Sequence, residues 1–599
     1  MSSPPAFADL RILATSDVHM HMTGWDALHD LNIAGRGMDV LAGIIGAARG
    51  AARGACLLLD NGDGLQGTPV GAICATLPAD TPHPWPLILN ALSYDAVGLG
   101  NHDFDFGVPF LERSVAQTDA ATLCASFSSG GVTGVQPTVL LQRAVPCSDG
   151  AVRALSIGVT SVLPPQTAVW NHRYLSGLIT FHAGVPAART AVARLRAQGA
   201  DVIVLLCHSG AGVPMTDDDE NFGADIAHNV EGIDAIILGH THQRIPVPGR
   251  PGDLNGVPTV MPGYGADVLG QIDLRLGWTK AGWHVAGHVA TLNLPAPGAR
   301  PEPAITAIAA PAIARTQKAL DHTLTRTGTG FHTYFGMLKS GASDALVARA
   351  MKDVIARKVA GTDLADLPLI ASVAPMSMGG LAGPCNYVEV PPGPVRARHI
   401  AMLAPFPNAV WAAVLQGRDL VRWVERATAY FAAGQQGCPR LVNQDAPSFN
   451  FDMLHGLEAI IDPFGAPMFD PTGRVIAPGG RRVAGLLYRD APVDEDARFL
   501  VAMTSYRGAG GGNFPGLKGA REILRTDYDL TEALHRTAAQ NMPTADSCTS
   551  VWRFASRPRA RVVIETSPNA IAHLDQIAAF DPQVIGQNEA GFLELRVLI

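Results

Sequence analysis

Short apolar segments recur along the first half of the chain, and stretches with a different periodicity separate them. The apolar segments lie at residues 12–15, 56–59, 96–99, 202–207 and 235–238. Residues 38–53 and 187–198 instead carry apolar side chains at three- and four-residue spacing, which predicts helices. Short buried strands that alternate with helices are typical of a layered α/β sheet. We therefore predict an α/β fold for this half.

A proline-rich segment divides the chain. Residues 292–304 contain four prolines, which suits a linker better than the interior of an element, and residues 305–324 then read as a connecting helix. Helical patterns return at 344–359 and 418–431, and strand patterns at 483–488 and 499–503. A chain of 599 residues exceeds what one core supports. The predicted division is a first domain over 1–291, a linker with connecting helix over 292–330, a second domain over 331–565 and a tail over 566–599.

Composition and charge narrow the classes of partner. The formal net charge of -8 argues against a nucleic-acid polymer, because such binders usually carry a basic stripe. No apolar run is long enough to span a bilayer, so a membrane partner is not expected. The eight cysteines are scattered and form no C-x-x-C pair. The first residues lack the features of a signal peptide, which predicts a cytoplasmic protein as written or a form from which that peptide has been removed. The oligomeric state is not indicated.

Five polar blocks follow five of the predicted strands. They are Asp17-Val-His19, Asp60-Asn-Gly-Asp63-Gly-Leu-Gln66, Gly100-Asn101-His102-Asp103-Phe-Asp105, His208-Ser209-Gly210 and Gly239-His240-Thr-His242. In open α/β sheets, ligands bind at the edge where the strands end. Taken singly, an Asp-x-His pair is usually structural and a single histidine after an apolar strand is usually a hydrogen-bonded core residue, whereas Gly-His-x-His and Asn-His-Asp are as readily functional as structural. The five together, each at a strand end, indicate one site.

The residue types in these blocks match a particular class of metal. Imidazole combined with carboxylate and amide oxygen suits zinc, manganese, cobalt or iron, and it excludes an all-oxygen calcium cage. Two such ions can clamp a phosphoryl group and lower the pKa of a water molecule. We therefore predict two divalent metal ions whose identity the sequence leaves open, and hydrolysis of a phosphate ester.

The ordered blocks resemble those of the calcineurin-like metallophosphoesterase superfamily, and most closely the two-domain 5'-nucleotidase family. The resemblance implies an N-terminal four-layer metallophosphoesterase domain and a C-terminal α/β substrate domain. It also implies two ligand sets that share a bridging aspartate. The first set is Asp17, His19, Asp63 and His242; the second is Asp63, Asn101, His208 and His240. By the same resemblance, His102 would donate to a phosphoryl or leaving-group oxygen and Asp105 would orient it.

Two segments of the second domain bear on the substrate. Residues 447–452 include Phe449 and Asp452, and the glycine-rich residues 505–515 include Tyr506. From the pattern alone the two aromatics are as readily core residues as a sandwich for a nucleobase. The segments resemble motifs of bifunctional 2',3'-cyclic-nucleotide 2'-phosphodiesterase/3'-nucleotidases. That resemblance implies base stacking by Phe449 and Tyr506, with Asp452 reading the base edge.

The resemblance implies small-molecule nucleotides as partners: 2',3'-cyclic nucleotides hydrolysed to 3'-nucleotides, and 3'-nucleotides hydrolysed to nucleoside and phosphate. Residues 374–383 carry no basic side chain, which weighs against the 5'-nucleotidase branch, and Arg398 or Arg507 is a candidate for holding sugar or phosphate instead. The alternatives are a 5'-nucleotidase or nucleotide-sugar hydrolase, a sulfur-compound hydrolase, and a non-catalytic binding protein. Family members are usually periplasmic, so the predicted cytoplasmic location departs from the family.

Overall fold

A computed structural model describes residues 6–215, 218–247, 249, 252–406, 408–432, 440–443, 446–517, 520, 522–540, 542, 550–556 and 560–599. The chain divides into two compact units, Met1–Lys318 and Ala319–Ile599. The boundary falls within the helix Pro303–Leu320, in the region where a connecting helix is predicted.

Two sheets form the frame of the first unit. In spatial order, the first contains the strands Gly282–Asn293, Leu269–Thr279, Ala6–Thr15, Ala55–Asp60, Ala96–Gly98, Ala121–Leu123 and Val135–Gln136. The second contains Arg244–Ile245, Val257–Pro262, Ala235–Leu238, Val202–Cys207, Val152–Val162 and Thr138–Pro146, with Asp253–Leu254 paired to Val257–Pro262. The strands that precede the polar blocks run parallel to one another within each sheet. They are Ala6–Thr15, Ala55–Asp60 and Ala96–Gly98 in the first sheet, and Val202–Cys207 and Ala235–Leu238 in the second. Their carboxyl ends therefore share one edge in each sheet.

Alternation along the strands assigns side chains to different layers. In the strand Ala55–Asp60, Leu57 and Leu59 enter a core shared by both sheets, whereas Leu58 joins a core beneath the helices of the first sheet. In Val202–Cys207, Val204 enters the shared core and Leu205 faces the helices of the second sheet. Because successive strand residues point to opposite faces, strands that are apolar on both faces need cover on both sides.

Helices supply that outer cover. Those on the first sheet's side are Met38–Gly50, Pro69–Ala75, Pro84–Ala91, Val108–Ala116 and, at its start, Pro303–Leu320. Those on the second sheet's side are Gly184–Ala197 and Gly223–Asn229. The short helices Thr167–Trp170 and His172–Leu175 follow the strand Val152–Val162. The order helix, sheet, sheet, helix is the four-layer arrangement that the resemblance implies, and it confirms the predicted fold class.

The remaining paired strands of the first unit are Trp25–Asp26 with Leu31–Asn32, and Phe127–Ser129 with Thr180–Phe181. Both pairs are short. Among the described residues, no helix is both long enough and apolar enough to cross a membrane.

The second unit is built on three principal sheets. A five-stranded sheet has the order Met453–His455, Leu369–Val373, Arg498–Thr504, Val410–Gln416 and Ile523–Leu524. A four-stranded sheet has the order Ala491–Pro492, Val483–Tyr488, Glu458–Ile461 and Trp552–Phe554, and a three-stranded sheet has the order Arg561–Thr566, Leu593–Leu598 and Gln583–Gln587. Two further pairs join Thr323–Thr327 to Gly393–Arg396 and Phe331–His332 to Glu389–Val390.

The helices of the second unit are Ala342–Val359, Ala397–Leu403, Gly417–Ala427, Ser505–Gly508 and Leu530–Gln540. One buried core includes Trp423, Phe451 and Trp552. It continues into Leu595 and Val597, which belong to the last strand of the chain. Residues 566–599, set apart as a tail by sequence, thus contribute strands and core side chains to this unit.

Candidate metal centre

The five polar blocks lie where predicted, directly after strands. Asp17 comes two residues after the strand Ala6–Thr15, and Asp63 three residues after Ala55–Asp60. His208 follows Val202–Cys207 at once, and His240 comes two residues after Ala235–Leu238. Since two of these strands belong to each sheet, the blocks meet at the end of the sheet sandwich.

The backbone at this site is unusual. Five of the seven predicted ligand residues have a positive φ, namely Asp17 at 51°, His19 at 49°, Asp63 at 57°, His240 at 69° and His242 at 58°. Non-glycine residues seldom adopt this left-handed conformation, and where they do it clusters at functional sites. The turns bring Asp17, His19 and His242 together, with His242 at the exposed side.

Two glycines allow the close approach of these blocks. A Cβ atom on Gly100 would lie 2.2 Å from Asp63 Oδ1, and one on Gly239 would lie 2.6 Å from Asp17 Oδ2. Both distances are far inside van der Waals contact. The glycines before Asn101 and before His240 are therefore required by space, which the sequence pattern alone does not reveal.

Asp17, His19 and His242 form the first of two ligand groups. Their donor atoms lie close enough together to hold one ion. Asp17 Oδ1 is 3.9 Å from His19 Nε2 and 3.5 Å from His242 Nε2, and the two Nε2 atoms are 3.1 Å apart. Burial lowers the pKa of His19 to about 4, so its ring is neutral at neutral pH. His19 Nδ1 is 2.8 Å from the Gln66 carbonyl and donates to it, which leaves a lone pair on Nε2.

Asp17, Asp63 and His208 form the second group, and all three are buried. His208 Nε2 is 3.0 Å from Asp63 Oδ2 and 3.8 Å from Asp17 Oδ1. His240 and Asn101, two further predicted ligand residues, approach each other with Nδ1 and Oδ1 2.9 Å apart.

These contacts leave an electrostatic requirement for a cation. His208 Nδ1 donates to the Asn61 carbonyl at 2.7 Å, and the buried Nε2 atom has no partner with hydrogen-bond geometry among the described residues. Burial lowers the pKa of His208, but Asp63 and Asp17 outweigh it and raise the pKa to about 10. The two carboxylates thus favour a positive charge at this point, and a proton or a metal ion can supply it. The donor set therefore fits a divalent metal.

His102 and Asp105 form a hydrogen-bonded pair beside these groups. His102 Nδ1 is 2.8 Å from Asp105 Oδ2, and the His102 backbone N–H donates to Asp63 Oδ1 at 2.7 Å. Burial lowers the pKa of His102, but the charges of Asp105 and Asp63 outweigh it and raise the pKa to about 9. With Nδ1 bound to Asp105, the imidazolium presents its second N–H, on Nε2, as a donor.

Asp103 has a structural role that the sequence pattern does not reveal. Its carboxylate accepts hydrogen bonds from the backbone N–H groups of Asp63, Gly64, Leu65 and Gly100, at 2.9 to 3.1 Å. One buried carboxylate thus fixes the loop that presents Asp63. Nothing in the spacing of the Asn-His-Asp block distinguishes this aspartate from a ligand.

Aromatic rings stack on two of the histidines. Trp170 stacks on His240 with ring centroids 5.4 Å apart, and Tyr264 stacks on His242 at 4.8 Å. The Arg36 guanidinium lies 5.0 Å from the centre of the Tyr264 ring. These rings limit the orientations open to the two imidazoles, and they come from segments outside the five blocks.

In the second unit, the predicted aromatic pair is partly exposed. Phe449 and Tyr506 each have 38% of their surface accessible, so neither ring is fully packed into the core. Gly511 lies against the Tyr506 ring, since a Cβ atom there would be 2.5 Å from its Cζ. Both rings thus keep part of their surface exposed to solvent.

Asp452 is placed differently from the two aromatics. It is 3% exposed; Ser372 Oγ donates to its Oδ2 at 2.7 Å, and Arg507 contacts both of its carboxylate oxygens. These bonds occupy the carboxylate of Asp452, the group expected to read the base edge. Asp452 therefore holds Ser372 and Arg507 in place beneath the protein surface. Arg507 forms its ion pair with Asp452, and Arg398 forms one with Asp321 at 2.7 Å. Neither arginine presents an uncommitted guanidinium to a sugar or phosphate.

The chain is similar to known proteins in both fold and sequence. A family model described as the 5'-nucleotidase C-terminal domain matches residues 325–519. A putative 5'-nucleotidase from Staphylococcus aureus superposes with a TM-score of 0.70 at 18% identity, over 92% of this chain and all of that chain. The fold is therefore that of the two-domain 5'-nucleotidases, whose calcineurin-like phosphoesterase class generally uses divalent metals.

Sequence relatives specify the branch. The chain is 30% identical to a 2',3'-cyclic-nucleotide 2'-phosphodiesterase/3'-nucleotidase from Yersinia enterocolitica, over 99% of this chain and 96% of that protein. It therefore belongs to the 2',3'-cyclic-nucleotide 2'-phosphodiesterase/3'-nucleotidase branch of the 5'-nucleotidase family. It is also 28% identical to the trifunctional nucleotide phosphoesterase protein YfkN of Bacillus subtilis, over 95% of this chain but only 41% of that protein.

Proposed function

We propose that this protein is a hydrolase that converts 2',3'-cyclic nucleotides to 3'-nucleotides, and 3'-nucleotides to nucleoside and phosphate. The observation that carries the proposal is the convergence of buried carboxylates and imidazole lone pairs beside an oriented imidazolium. The near-full-length relative from Yersinia enterocolitica bears both activities in its name, which supports the choice of substrate.

Two divalent ions are assigned to the first unit. Asp17, His19, Asp63 and His242 would hold one, and Asp63, Asn101, His208 and His240 would hold the other, with Asp63 common to both sets. When bound, such ions polarise the phosphoryl group and lower the pKa of water. The neutral ring of His19 and the buried Nε2 atom of His208 support these roles. Manganese, cobalt, zinc and iron all suit the donor set.

His102 assists the departing oxygen. Against the effect of burial, the Asp105 carboxylate raises the pKa of the His102 ring, and the bond to it fixes which nitrogen faces that oxygen. An oriented N–H donor stabilises negative charge as it develops on the leaving oxygen and can transfer a proton to it. The same donor serves both reactions, since each breaks a bond from phosphorus to a ribose oxygen.

The second unit supplies recognition of the base. Phe449 and Tyr506 present partly exposed rings, and stacking on aromatic side chains contributes about 1–3 kcal/mol per base. Stacking tolerates any base because every base has a π-face. We therefore propose a broad base preference for this site.

The test is a parallel measurement of phosphate and nucleoside release from 2',3'-cyclic AMP, 3'-AMP and 5'-AMP, with manganese or cobalt and an EDTA control. The proposal expects metal-dependent turnover of the first two and little of the third. A preference for 5'-AMP would instead place the protein among the 5'-nucleotidases. Absence of turnover on all three would overturn the substrate class.

A further inference from the structure

Glu220 contacts His240 on the side of the ring away from Asn101. Glu220 Oε1 lies 3.2 Å from His240 Nε2, while His240 Nδ1 lies 2.9 Å from Asn101 Oδ1. Glu220 belongs to none of the five polar blocks. It comes from the loop between the strand Val202–Cys207 and the helix Gly223–Asn229.

The loop is held in place by the block that carries His208. The buried Ser209 hydroxyl donates to the Glu220 carbonyl at 2.7 Å and accepts from the Phe222 N–H at 2.9 Å. Gly210 gives the loop room, because a Cβ atom there would lie 2.3 Å from Asn221 Oδ1. The serine and glycine after His208 thus fix the backbone that presents Glu220.

The carboxylate determines where His240 carries its proton. A neutral imidazole has one N–H and one lone pair. With the proton on Nδ1, the Nε2 lone pair would point at the Glu220 carboxylate, and two acceptors would oppose each other. With the proton on Nε2, Glu220 accepts it and the Nδ1 lone pair points toward Asn101 Oδ1. Without an ion, Nδ1–H can donate to Asn101 Oδ1 at 2.9 Å, so Nδ1 can ligate an ion shared with Asn101 only when the proton sits on Nε2, where Glu220 accepts it.

We infer that Glu220 is a positioning residue that holds His240 in the tautomer whose Nδ1 atom ligates a divalent ion. The inference rests on the proposed function, because it takes His240 and Asn101 as ligands of one ion. A ligating histidine commonly donates its other N–H to a carboxylate, and loss of that partner typically costs 10–100-fold in metal affinity or activity. Stacking by Trp170 restrains the tilt of the same ring, and Glu220 restrains its rotation and protonation.

The experiment measures manganese retention rather than turnover. Wild-type protein, Glu220→Ala, Glu220→Gln and Asp219→Ala are loaded with Mn²⁺ and dialysed against graded chelator, and metal per chain is measured by elemental analysis. Asp219 is the matched control, since it is the adjacent acidic residue and its side chain is exposed. Electron paramagnetic resonance reports whether the retained ions are spin-coupled as a pair.

We expect Glu220→Ala to lose one of its two ions, and the coupled signal, at about 10–100-fold lower chelator concentration than wild type. Glu220→Gln should lose the ion at a chelator concentration between those of Glu220→Ala and wild type, because its amide oxygen still accepts the Nε2–H. Asp219→Ala should match wild type. Retention of both ions by Glu220→Ala at wild-type chelator concentrations would overturn the inference. Wild-type protein that neither holds two ions nor hydrolyses nucleotides would overturn the proposed function, and this inference with it.

Discussion

Arg507 and Asp452 form a two-point ion pair inside the second unit, with Nε 3.0 Å from Oδ2 and Nη2 2.8 Å from Oδ1. Both side chains are 4% exposed. Arg507 also donates to the Phe449 carbonyl at 2.8 Å, and its guanidinium lies 5.5 Å from the Tyr506 ring centre. The ion pair therefore links the segment that carries Phe449 to the segment that carries Tyr506, the two residues called the aromatic platform.

Replacing Asp452 tests this supporting role. Asp452→Ala leaves the Arg507 charge buried without its partner, and breaking a buried pair in this way costs about 3–5 kcal/mol of unfolding free energy. Urea unfolding followed by tryptophan fluorescence measures the loss. Arg553→Ala is the control: it breaks a more exposed pair with Glu458, and a change below about 1 kcal/mol is expected. A stable Asp452→Asn protein with altered base preference would restore Asp452 as a direct reader of the base.

His102→Asn separates chemistry from metal binding. Since His102 is assigned no metal, the variant should keep both ions while kcat falls about 10²–10⁴-fold on both substrates, the usual contribution of a positioned proton donor. Asp105→Asn, which leaves the imidazole in place, should lose less. Elemental analysis and steady-state kinetics on the same preparations provide the measurement. Wild-type turnover by His102→Asn would remove the residue from the mechanism.

Metal binding should stabilise the folded protein. A ligand present at 100 times its Kd adds about 2.7 kcal/mol to unfolding free energy if it binds only the folded state. We expect the thermal transition of EDTA-treated protein to rise on addition of manganese. His208→Ala removes a buried donor, so its transition should shift much less under the same titration. Equal shifts in both proteins would place the responsible ion elsewhere.

The aromatic platform should affect binding more than chemistry. Phe449→Ala and Tyr506→Ala should each raise KM for cyclic and 3'-nucleotides by about 5–150-fold, the equivalent of about 1–3 kcal/mol of stacking. Phe449→Tyr keeps the ring and should behave as wild type. Hydrolysis of glycerol 2-phosphate, which has no base, should be unchanged in all three. An unchanged KM for nucleotides in both alanine variants would make these residues ordinary surface aromatics.

Acid should weaken the second unit. Burial lowers the pKa of His455 to about 4, below the value of about 6.5 of an unfolded histidine. The contribution of His455 to the free energy of unfolding is therefore fully present above pH 6.5 and is lost as the pH falls toward 4. In that range the unfolded chain binds a proton at this histidine and the folded chain does not. The loss from His455 is about 1.4 kcal/mol at pH 5.5. Urea unfolding at pH 7.5 and 5.5 measures it, and His455→Gln should reduce the difference.

The strands and the candidate ligands were predictable from sequence for one physical reason. A strand buried on both faces is a continuous apolar run, and the polar residues that follow it mark its carboxyl end. The strands at Val202–Cys207 and Ala235–Leu238 match their predicted bounds, and His208 and His240 follow them as expected. The family resemblance then supplied the pairing of ligands, which spacing alone leaves open.

Other features depend on contacts between segments far apart in sequence. Glu220 lies in a loop with no periodicity, and it reaches His240 only because Ser209 holds that loop. Asp452 follows a motif typical of ligand contact, but Arg507, 55 residues further on, occupies its carboxylate. A single sequence carries no signal for either pairing, because each depends on the packing of complete units.

The left-handed turns at the metal centre have a consequence for how such a protein can change over generations. Each non-glycine residue in that conformation costs about 1–3 kcal/mol, so the five together cost an amount comparable with the entire stability of a typical domain. Other interactions in the first unit must offset this free-energy cost. Substituting glycine at His242 would relieve part of this cost but would also remove a proposed metal ligand, so greater heat resistance is expected only for the metal-free protein. Selection for stability of the metal-free fold alone would therefore not favour these residues at this centre.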